Sequence, residues 1–399
     1  MPTSARTMIE VPLLDLKAQY AGLRDELEPV VKEVIESQWF IGGPNVTQLE
    51  EDIAEYCTTS RAVGCASGSD AIQLALQAAD VNPGDIVVCP TYTFFSTAGS
   101  ISRIGAIPLL VDVDPATYNM DPKSLDVALS KAPQGRVKAI MPVHLFGQCC
   151  DMDSIMGLAA DQGISVIEDA AQALGSEDVH GRRAGSMSVA GCFSFFPSKN
   201  LGGFGDGGVM TFQDPEMASR AARLRNHGME PKYYHHEVGC NSRLDALQAA
   251  VLRVKMRHLD SWTEGRRENA RFYDDCICEA GGLSSDVSLG ETSKLPIRYP
   301  LPASGASRHI YNQYIIRVPA GHRDMIRARL SEARIGTEVY YPLALHQQEC
   351  YRDLDLFELN LSAAERASRE TIAIPIYPDL TQAQKEHVMD TLLSIVSSL

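Results

Sequence analysis

Through the first two thirds of the chain, short runs rich in β-branched and aromatic residues alternate with stretches whose apolar residues recur every three or four positions. The runs at 86–89, 107–111, 139–143, 165–167, 191–195 and 209–212 each lie beside Gly, Pro or Asp and read as strands. Between them, stretches such as 71–79 and 152–162 carry the helical period. Strand, helix, strand repetition predicts an α/β domain with a mainly parallel sheet between helices.

From Leu244 the pattern changes. Leu244, Leu247, Val251, Val254 and Leu259 form one stripe, which predicts a long helix. A loop-rich stretch over 281–307 follows, then a strand in "NQYIIRV", a helix near 323–333 and a C-terminal helix. A large domain with an N-terminal arm is therefore expected over 1–255, and a smaller α+β domain over 256–399. No internal repeat or low-complexity tract interrupts this plan.

Composition narrows the function class. The chain has 399 residues, 45% hydrophobic and 22% charged, as in a globular protein. No apolar run is long enough to span a bilayer, and "MPTSARTMIEVPLLDL" lacks a signal-peptide core, so a cytoplasmic protein without a membrane partner is expected. Ten cysteines are too sparse for a disulfide framework and no paired CxxC suggests zinc, so Cys149, Cys150, Cys276 and Cys278 read as reduced thiols. A net charge of −15 argues against nucleic acid as a partner. A phosphorylated small molecule stays open, because the local cluster "RAARLRNHG" is basic.

The segment "FSFFPSKNLGGFGDGGVMTF" (193–212) carries the sharpest chemical signal. Gly203, Gly205 and Gly208 satisfy G-x-G-x-x-G, but a dinucleotide site needs a helix after the glycines, and "VMTF" reads as a strand. Lys199 is then either a solvated charge at a loop edge or the reason for the glycines. In "CASGSDAIQLALQAA" (65–79), Gly68 and Ser69 open a helix whose free N–H groups suit a phosphate, while Ser67 and Asp70 read equally as caps. In "SVIEDAAQALGS" (165–176) a strand delivers Glu168 and Asp169 to the carboxyl edge of the sheet, where an ordinary turn aspartate is the alternative.

A phosphate-binding helix start, a carboxylate at a strand end and a glycine-flanked lysine are together the parts that hold pyridoxal phosphate. The lysine must lose its proton to attack the cofactor's aldehyde, so it needs a desolvated pocket. The carboxylate keeps the pyridine nitrogen protonated. "PTYTFFSTAG" (90–99) supplies aromatic rings to cover the cofactor face. No metal site is expected: His235 and His236 are adjacent, so in an extended segment they point to opposite sides, and a mobile loop is the better reading. His144 is read as structural.

With these residues in place, the chain resembles the DegT/DnrJ/StrS family of pyridoxal-phosphate sugar aminotransferases over nearly its whole length. The blocks include "VPLLDLKAQY", "GGPNVTQLEEDIAEY", "ASGSDAIQLAL", "GAIPLLVDVD", "AIMPVHLFGQ", "EDAAQALGS", "LRNHG", "GCNSRLDALQAAVL" and "EVYYPLALH". The resemblance implies a fold type I architecture, with Lys199 as the Schiff-base lysine and Asp169 as the pyridinium partner. It further implies Gln172 at the ring hydroxyl, Gly68, Ser69 and Ser194 at the phosphate, Phe94 on the ring face, and Asn241 reaching a neighbouring subunit's phosphate site in a homodimer. Arg225, His227, Lys232 and Arg243 are expected to contact a nucleotide diphosphate, although each also reads as a solvated surface charge, and Tyr340 and His346 to contact the sugar.

The implied reaction moves an amino group from L-glutamate to a nucleotide-linked keto-sugar in amino-sugar biosynthesis. The "YHHEVGCNSRLDALQAAVLRVK" block favours a 3-keto acceptor over a 4-keto one. Relatives with histidine in place of the lysine are dehydratases, and Lys199 argues against that chemistry here. A non-catalytic cofactor-binding regulator would need a partner domain, and no basic helix-turn-helix segment is seen. The chain departs from the family at Ser198, at "ASGSDA" and at Tyr340, where threonine, "NGTDA" and histidine are frequent.

Overall fold

The computed structural model describes residues 9–133, 135–287, 293–302, 307–354 and 359–399. The chain begins with α1 (Leu16–Ser37), α2 (Pro44–Tyr56), β1 (Arg61–Cys65), α3 (Gly68–Ala78), β2 (Ile86–Pro90) and α4 (Ser96–Arg103). It continues through β3 (Ile107–Val111), α5 (Pro122–Lys131), β4 (Val137–Ile140), α6 (Met152–Ala160), β5 (Ser165–Asp169), β6 (Ala190–Ser194) and β7 (Gly208–Phe212). After α7 (Pro215–Leu224), α8 (Ala246–Met256) and α9 (Leu259–Glu279) come β8 (Leu283–Ser284), β9 (Arg298–Tyr299) and β10 (Tyr314–Arg317). The last elements are α10 (Arg323–Glu332), α11 (Ser362–Glu370), β11 (Thr371–Ile374) and α12 (Gln382–Ser397).

Seven strands form one sheet in the order β1-β7-β6-β5-β4-β2-β3. Only β7 runs antiparallel to its neighbours. Both faces are covered, which is why β2 and β7 read as unbroken apolar runs. Val88 packs with Leu49, Ile53 and Leu125 on one face. Val87 and Cys89 pack with Ile72, Leu74 and Ile101 on the other, following the period-two alternation of a strand. The expected α/β fold with a mainly parallel sheet is thus the observed one.

A second sheet, ordered β11-β10-β9-β8, gathers Tyr273, Tyr314, Ile316, Leu330 and Leu392 into its own core. Two segments cross between the cores. Val11 pairs with Ile335 and lies in the second core, whereas Leu345 and Tyr351 return to the first.

Three local expectations change. β1 lies outside the expected strands; it is only five residues long and ends two residues before the α3 cap, Ser67. The strand expected at 139–143 is β4, ending at Ile140; beyond it Val143 forms only an isolated bridge to Asp169. The long helix is two helices, α8 and α9, broken at Arg257 and His258. The five-residue step from Val254 to Leu259 in the apolar stripe marks that break, since a continuous helix would return to its face after three or four.

Gly191 tests this packing. A Cβ there would lie 2.3 Å from Gly185 Cα and 2.7 Å from Thr211 Oγ1, so Gly191→Ala should destabilise the protein by about 3 kcal/mol. Gly157 in α6 is exposed with open space around it, so Gly157→Ala should instead stabilise by about 0.5–1 kcal/mol. Urea denaturation of both variants reads the opposite signs.

Candidate active site

Asp169 ends β5 and is buried. Its backbone is fixed on both sides: its N–H donates to Pro142 O at 2.9 Å, and its carbonyl accepts the His144 N–H at 3.0 Å. The carboxylate accepts Thr97 Oγ1 at 2.7 Å and the Ala171 N–H at 3.2 Å. Burial pushes its pKa up, while the Thr97 hydroxyl, the Ala171 N–H and the Lys199 charge pull the other way.

The preceding residue, Glu168, faces the opposite side of the strand and is enclosed. It accepts from the Gly185 and Met187 N–H groups, Ser188 Oγ and His144 Nε2 at 2.6–2.9 Å. Cys150 N–H donates to His144 Nδ1 at 3.1 Å. The His144 ring is therefore held with its proton on Nε2, donating to Glu168. Of the two adjacent carboxylates, one locks the scaffold and the other is presented to the site.

Lys199 lies on the segment leaving β6 and is half-buried. Burial lowers its pKa to about 8, against the pull of Asp169. Its Nζ has no hydrogen-bond partner among the described residues. The glycines behind it let the chain fold onto its own stem: a Cβ on Gly202 would lie 2.3 Å from Pro197 O. Helix α8 braces this turn, with Lys255 Nζ donating to Gly202 O at 2.7 Å and Gln248 Oε1 accepting the Phe204 N–H at 2.7 Å.

At the start of α3, Ser67 is the cap, accepting the Asp70 N–H at 3.1 Å. Asp70 accepts Ser242 Oγ at 2.7 Å. The first-turn N–H groups of Gly68 and Ser69 carry no intrahelical bond by geometry and form the positive end of the helix dipole. Gly68 lets this end dock on β6, since a Cβ there would lie 2.7 Å from Ser194 Cβ and 3.2 Å from Ser194 Oγ. Ser69 Oγ and Ser96 Oγ are 2.5 Å apart. Gly68, Ser69 and Ser194 are thus brought together, with Ser96 as a fourth polar neighbour.

Phe94 is exposed, and its ring centroid lies 6.1 Å from that of Tyr341. Gln172 is buried; its Oε1 accepts the Phe146 N–H at 2.7 Å and its Nε2 donates to Tyr341 OH at 3.2 Å. A cavity of about 570 Å³ opens beside Ser69, Phe94, Phe95 and Ser96 and reaches Arg103 and Tyr351. A polar helix end, an unpaired amine, a buried carboxylate and an aromatic wall fit a flat, phosphorylated aldehyde cofactor such as pyridoxal phosphate.

The expected substrate contacts fare unevenly. Arg225 Nη1 donates to Glu50 Oε1 and Gly64 O, both at 2.5 Å, which braces α2 against β1. Arg243 donates to Asn226 Oδ1 at 2.8 Å. Lys232 is exposed, 5.0 Å over the Tyr233 ring, and His227 is exposed with φ of 62°. Asn241 is exposed and bridges to Asn226. His346 Nδ1 is 2.8 Å from Thr91 Oγ1, and Tyr340 O accepts from Tyr92 OH at 2.5 Å. His235 and His236 each bond a backbone carbonyl of their own segment, and no metal-holding cluster occurs among the described residues.

Sequence reasoning passed over Thr97 and Tyr341. Thr97 sits in the quoted "PTYTFFSTAG", where only the rings drew notice, although Thr93 and Thr97 are spaced to share a helical face. Tyr341 meets Gln172 across 169 positions, a contact without a local signal.

A family model for the DegT/DnrJ/EryC1/StrS aminotransferases matches residues 22–393. The chain is 45% identical to a pleiotropic regulatory protein of Geobacillus stearothermophilus, over 96% of this chain and 98% of that one. It is 37% identical to a UDP-N-acetyl-3-dehydro-alpha-D-glucosamine 3-aminotransferase of Acidithiobacillus ferrooxidans, over 94% and 95%. Among solved structures it is similar to S. venezuelae DesV in complex with a ketimine intermediate, with a TM-score of 0.89, 37% identity, and 98% and 99% of the two chains covered. NtdA from Bacillus subtilis, with bound cofactor PMP, matches with a TM-score of 0.87 and 27% identity over 99% and 87%.

Lys199 gives a pH prediction. Only the neutral amine attacks an aldehyde, and its pKa is lowered to about 8. In protein freed of cofactor, capture of added pyridoxal phosphate should therefore speed up through a midpoint near pH 8, read by stopped-flow absorbance. A midpoint near the 10.5 of a solvated lysine would contradict the desolvated pocket.

Proposed function

Because the chain belongs to the DegT/DnrJ/EryC1/StrS aminotransferase family, we propose that it moves the amino group of L-glutamate to the 3-keto position of a nucleotide-linked sugar, in amino-sugar biosynthesis. It is a pyridoxal-phosphate-dependent sugar aminotransferase; the donor, the carbon and the residue roles are our reading. The observation that carries it is the lysine amine with its lowered pKa beside a buried, hydrogen-bonded carboxylate. The acceptor carbon is supported by relatives named for 3-amino or 3-oxo nucleotide sugars.

Bound at this site, the cofactor supplies an electron sink for the carbon that loses a proton. Lys199 would hold the cofactor through its amine, and the same amine would move the proton at the substrate carbon. Asp169 holds a proton at the ring nitrogen. The N–H groups of Gly68 and Ser69 and the hydroxyls of Ser69 and Ser194 bind the phosphate. Gln172 orients the ring oxygen, and Phe94 covers one ring face and excludes water. His227, Lys232 and Arg243 bind the diphosphate, and Tyr340 and His346 border the sugar.

Asn241 is exposed, and its neighbour Ser242 is anchored to Asp70 and to the Ala66 N–H at the start of α3. That placement supports its delivery to a second copy, so we assign a homodimer. Ten free thiols suit a reducing compartment, which supports a cytoplasmic location. No helix among the described residues is long and apolar enough to cross a membrane. A regulator that only binds cofactor is the second reading, motivated by the name of the Geobacillus relative. Such a role would show cofactor capture by Lys199 without amine transfer to a nucleotide sugar.

Lys199→Ala should abolish amine transfer while the protein still folds, as seen by circular dichroism. Asp169→Asn should slow transfer roughly 100-fold or more. Supplying 3-keto and 4-keto nucleotide sugars in parallel with L-glutamate, and locating the new amine by NMR, should show nitrogen at C3. Amination at C4 alone would sink the carbon assignment, and transfer at the wild-type rate by Lys199→Ala would sink the mechanism.

A further inference from the structure

We propose that Thr97, backed by Thr93, is a positioning residue that aims the Asp169 carboxylate at the cofactor's ring nitrogen and keeps it charged. The proposal rests on the reading that Asp169 partners that nitrogen.

Thr97 is fully buried and lies in the first turn of α4; Thr93 is buried in the connection from β2. Thr97 Oγ1 donates to Asp169 Oδ2 at 2.7 Å, across 72 positions of chain. A hydroxyl has one proton, so with Thr97 donating to the carboxylate, Thr93 Oγ1 at 3.1 Å donates to Thr97. The two hydroxyls form a short directional relay ending on Asp169. Among the described residues, the only other donor to this carboxylate is the Ala171 N–H, which takes Oδ1. Thr97 thus fixes the rotation of the carboxylate about its own strand end.

The titratable groups coupled to Asp169 are Lys199 from the β6–β7 segment, His144 from the connection after β4, Tyr341 from the chain before α11, and the thiols of Cys89 and Cys192 on the flanking strands. Of these, Lys199 and His144 pull the Asp169 pKa down, Lys199 the more strongly. Burial pushes the Asp169 carboxyl towards its neutral form, and the Thr97 hydroxyl is the strongest opposing influence. Without it, a neutral carboxyl would hold a ring proton poorly. Thr93 and Thr97 also bracket Phe94, so one segment sets both the aromatic cover and the partner of the ring nitrogen.

The test compares Thr97→Val, which keeps the shape and removes the hydroxyl, with Thr97→Ser, which keeps the hydroxyl. Two readouts are independent of turnover: the equilibrium dissociation constant for pyridoxal phosphate, and the pH midpoint of the bound cofactor's visible absorbance. Thr97→Val should weaken binding roughly tenfold or more, the effect of losing a hydrogen bond to a charged group. It should also raise the midpoint by about half a unit or more, because a ring that loses its positive charge no longer lowers the proton affinity of the Lys199 nitrogen. Thr97→Ser should restore both towards wild type, and Thr93→Val should move both in the same direction by less. If Thr97→Val does not fold, Thr97→Ala provides the comparison. Wild-type values in the variant lacking the hydroxyl, or equal loss in Thr97→Ser, would overturn the proposal. With Asp169→Asn run alongside, a shift there and none in Thr97→Val would remove Thr97 alone. No shift in either would remove the role of Asp169 as well.

Discussion

The charges of an acid, Asp169, and an amine, Lys199, act on each other, and burial drives each towards its neutral form. The Asp169 pKa is pushed up and that of Lys199 down to about 8, while their mutual attraction opposes both shifts. Left alone, such a pair closes into a salt bridge that would occupy the amine and block a ligand. The structure prevents this by giving the carboxylate other donors, Thr97 and the Ala171 N–H, and by leaving Lys199 Nζ without an acceptor among the described residues. A buried charge without partners costs several kcal/mol, so the surrounding frame must hold the gap open.

The frame is the carboxyl edge of the sheet. β5 is paired on both sides, and Glu168, on its other face, accepts four hydrogen bonds that tie down the 185–188 segment and His144. One strand therefore carries the scaffold lock and the reactive carboxylate at adjacent positions, separated by the strand's own alternation. Lys199 is fixed from behind. Its segment folds through glycines and is braced by Gln248 and Lys255 from α8, so a helix outside the sheet determines where the amine stands.

Elements whose physics is local were legible in the sequence. Fully buried strands such as β2 and β7 show as short runs rich in apolar residues, and the α3 start shows as Gly and Ser before an apolar helix. Lys199 and Asp169 could be singled out because a lysine beside glycines and a carboxylate at a strand end are visible in one window each. The ion pair of Arg225 could not be read locally, since a basic residue in a basic cluster looks the same whether or not it meets Glu50, which lies 175 positions away. Thr97 and Tyr341 were invisible for the same reason: their partners, Asp169 and Gln172, are brought to them by the sheet and by an apolar cluster around Tyr92, Tyr118 and Phe146.

The chain between α10 and α11 also bears on the site. Tyr341 touches Phe94 and bonds Gln172, its backbone N–H donates to Tyr92 OH at 3.1 Å, and His346 meets Thr91. Leu345 and Tyr351 are buried in the first core, and Tyr92 OH also meets Thr371 Oγ1 at 2.8 Å at the start of β11. The chain at 340–351 is therefore pinned to the large sheet at several points and forms a fixed wall of the cofactor pocket. Residues 227–243 are built differently: His235 and His236 bond carbonyls of their own segment, and Tyr233, Tyr234 and Val238 are exposed. Cofactor chemistry belongs on the pinned wall, where small displacements are costly. On the 227–243 segment, exposed side chains such as Tyr233 and Val238 can be exchanged at little cost to the fold.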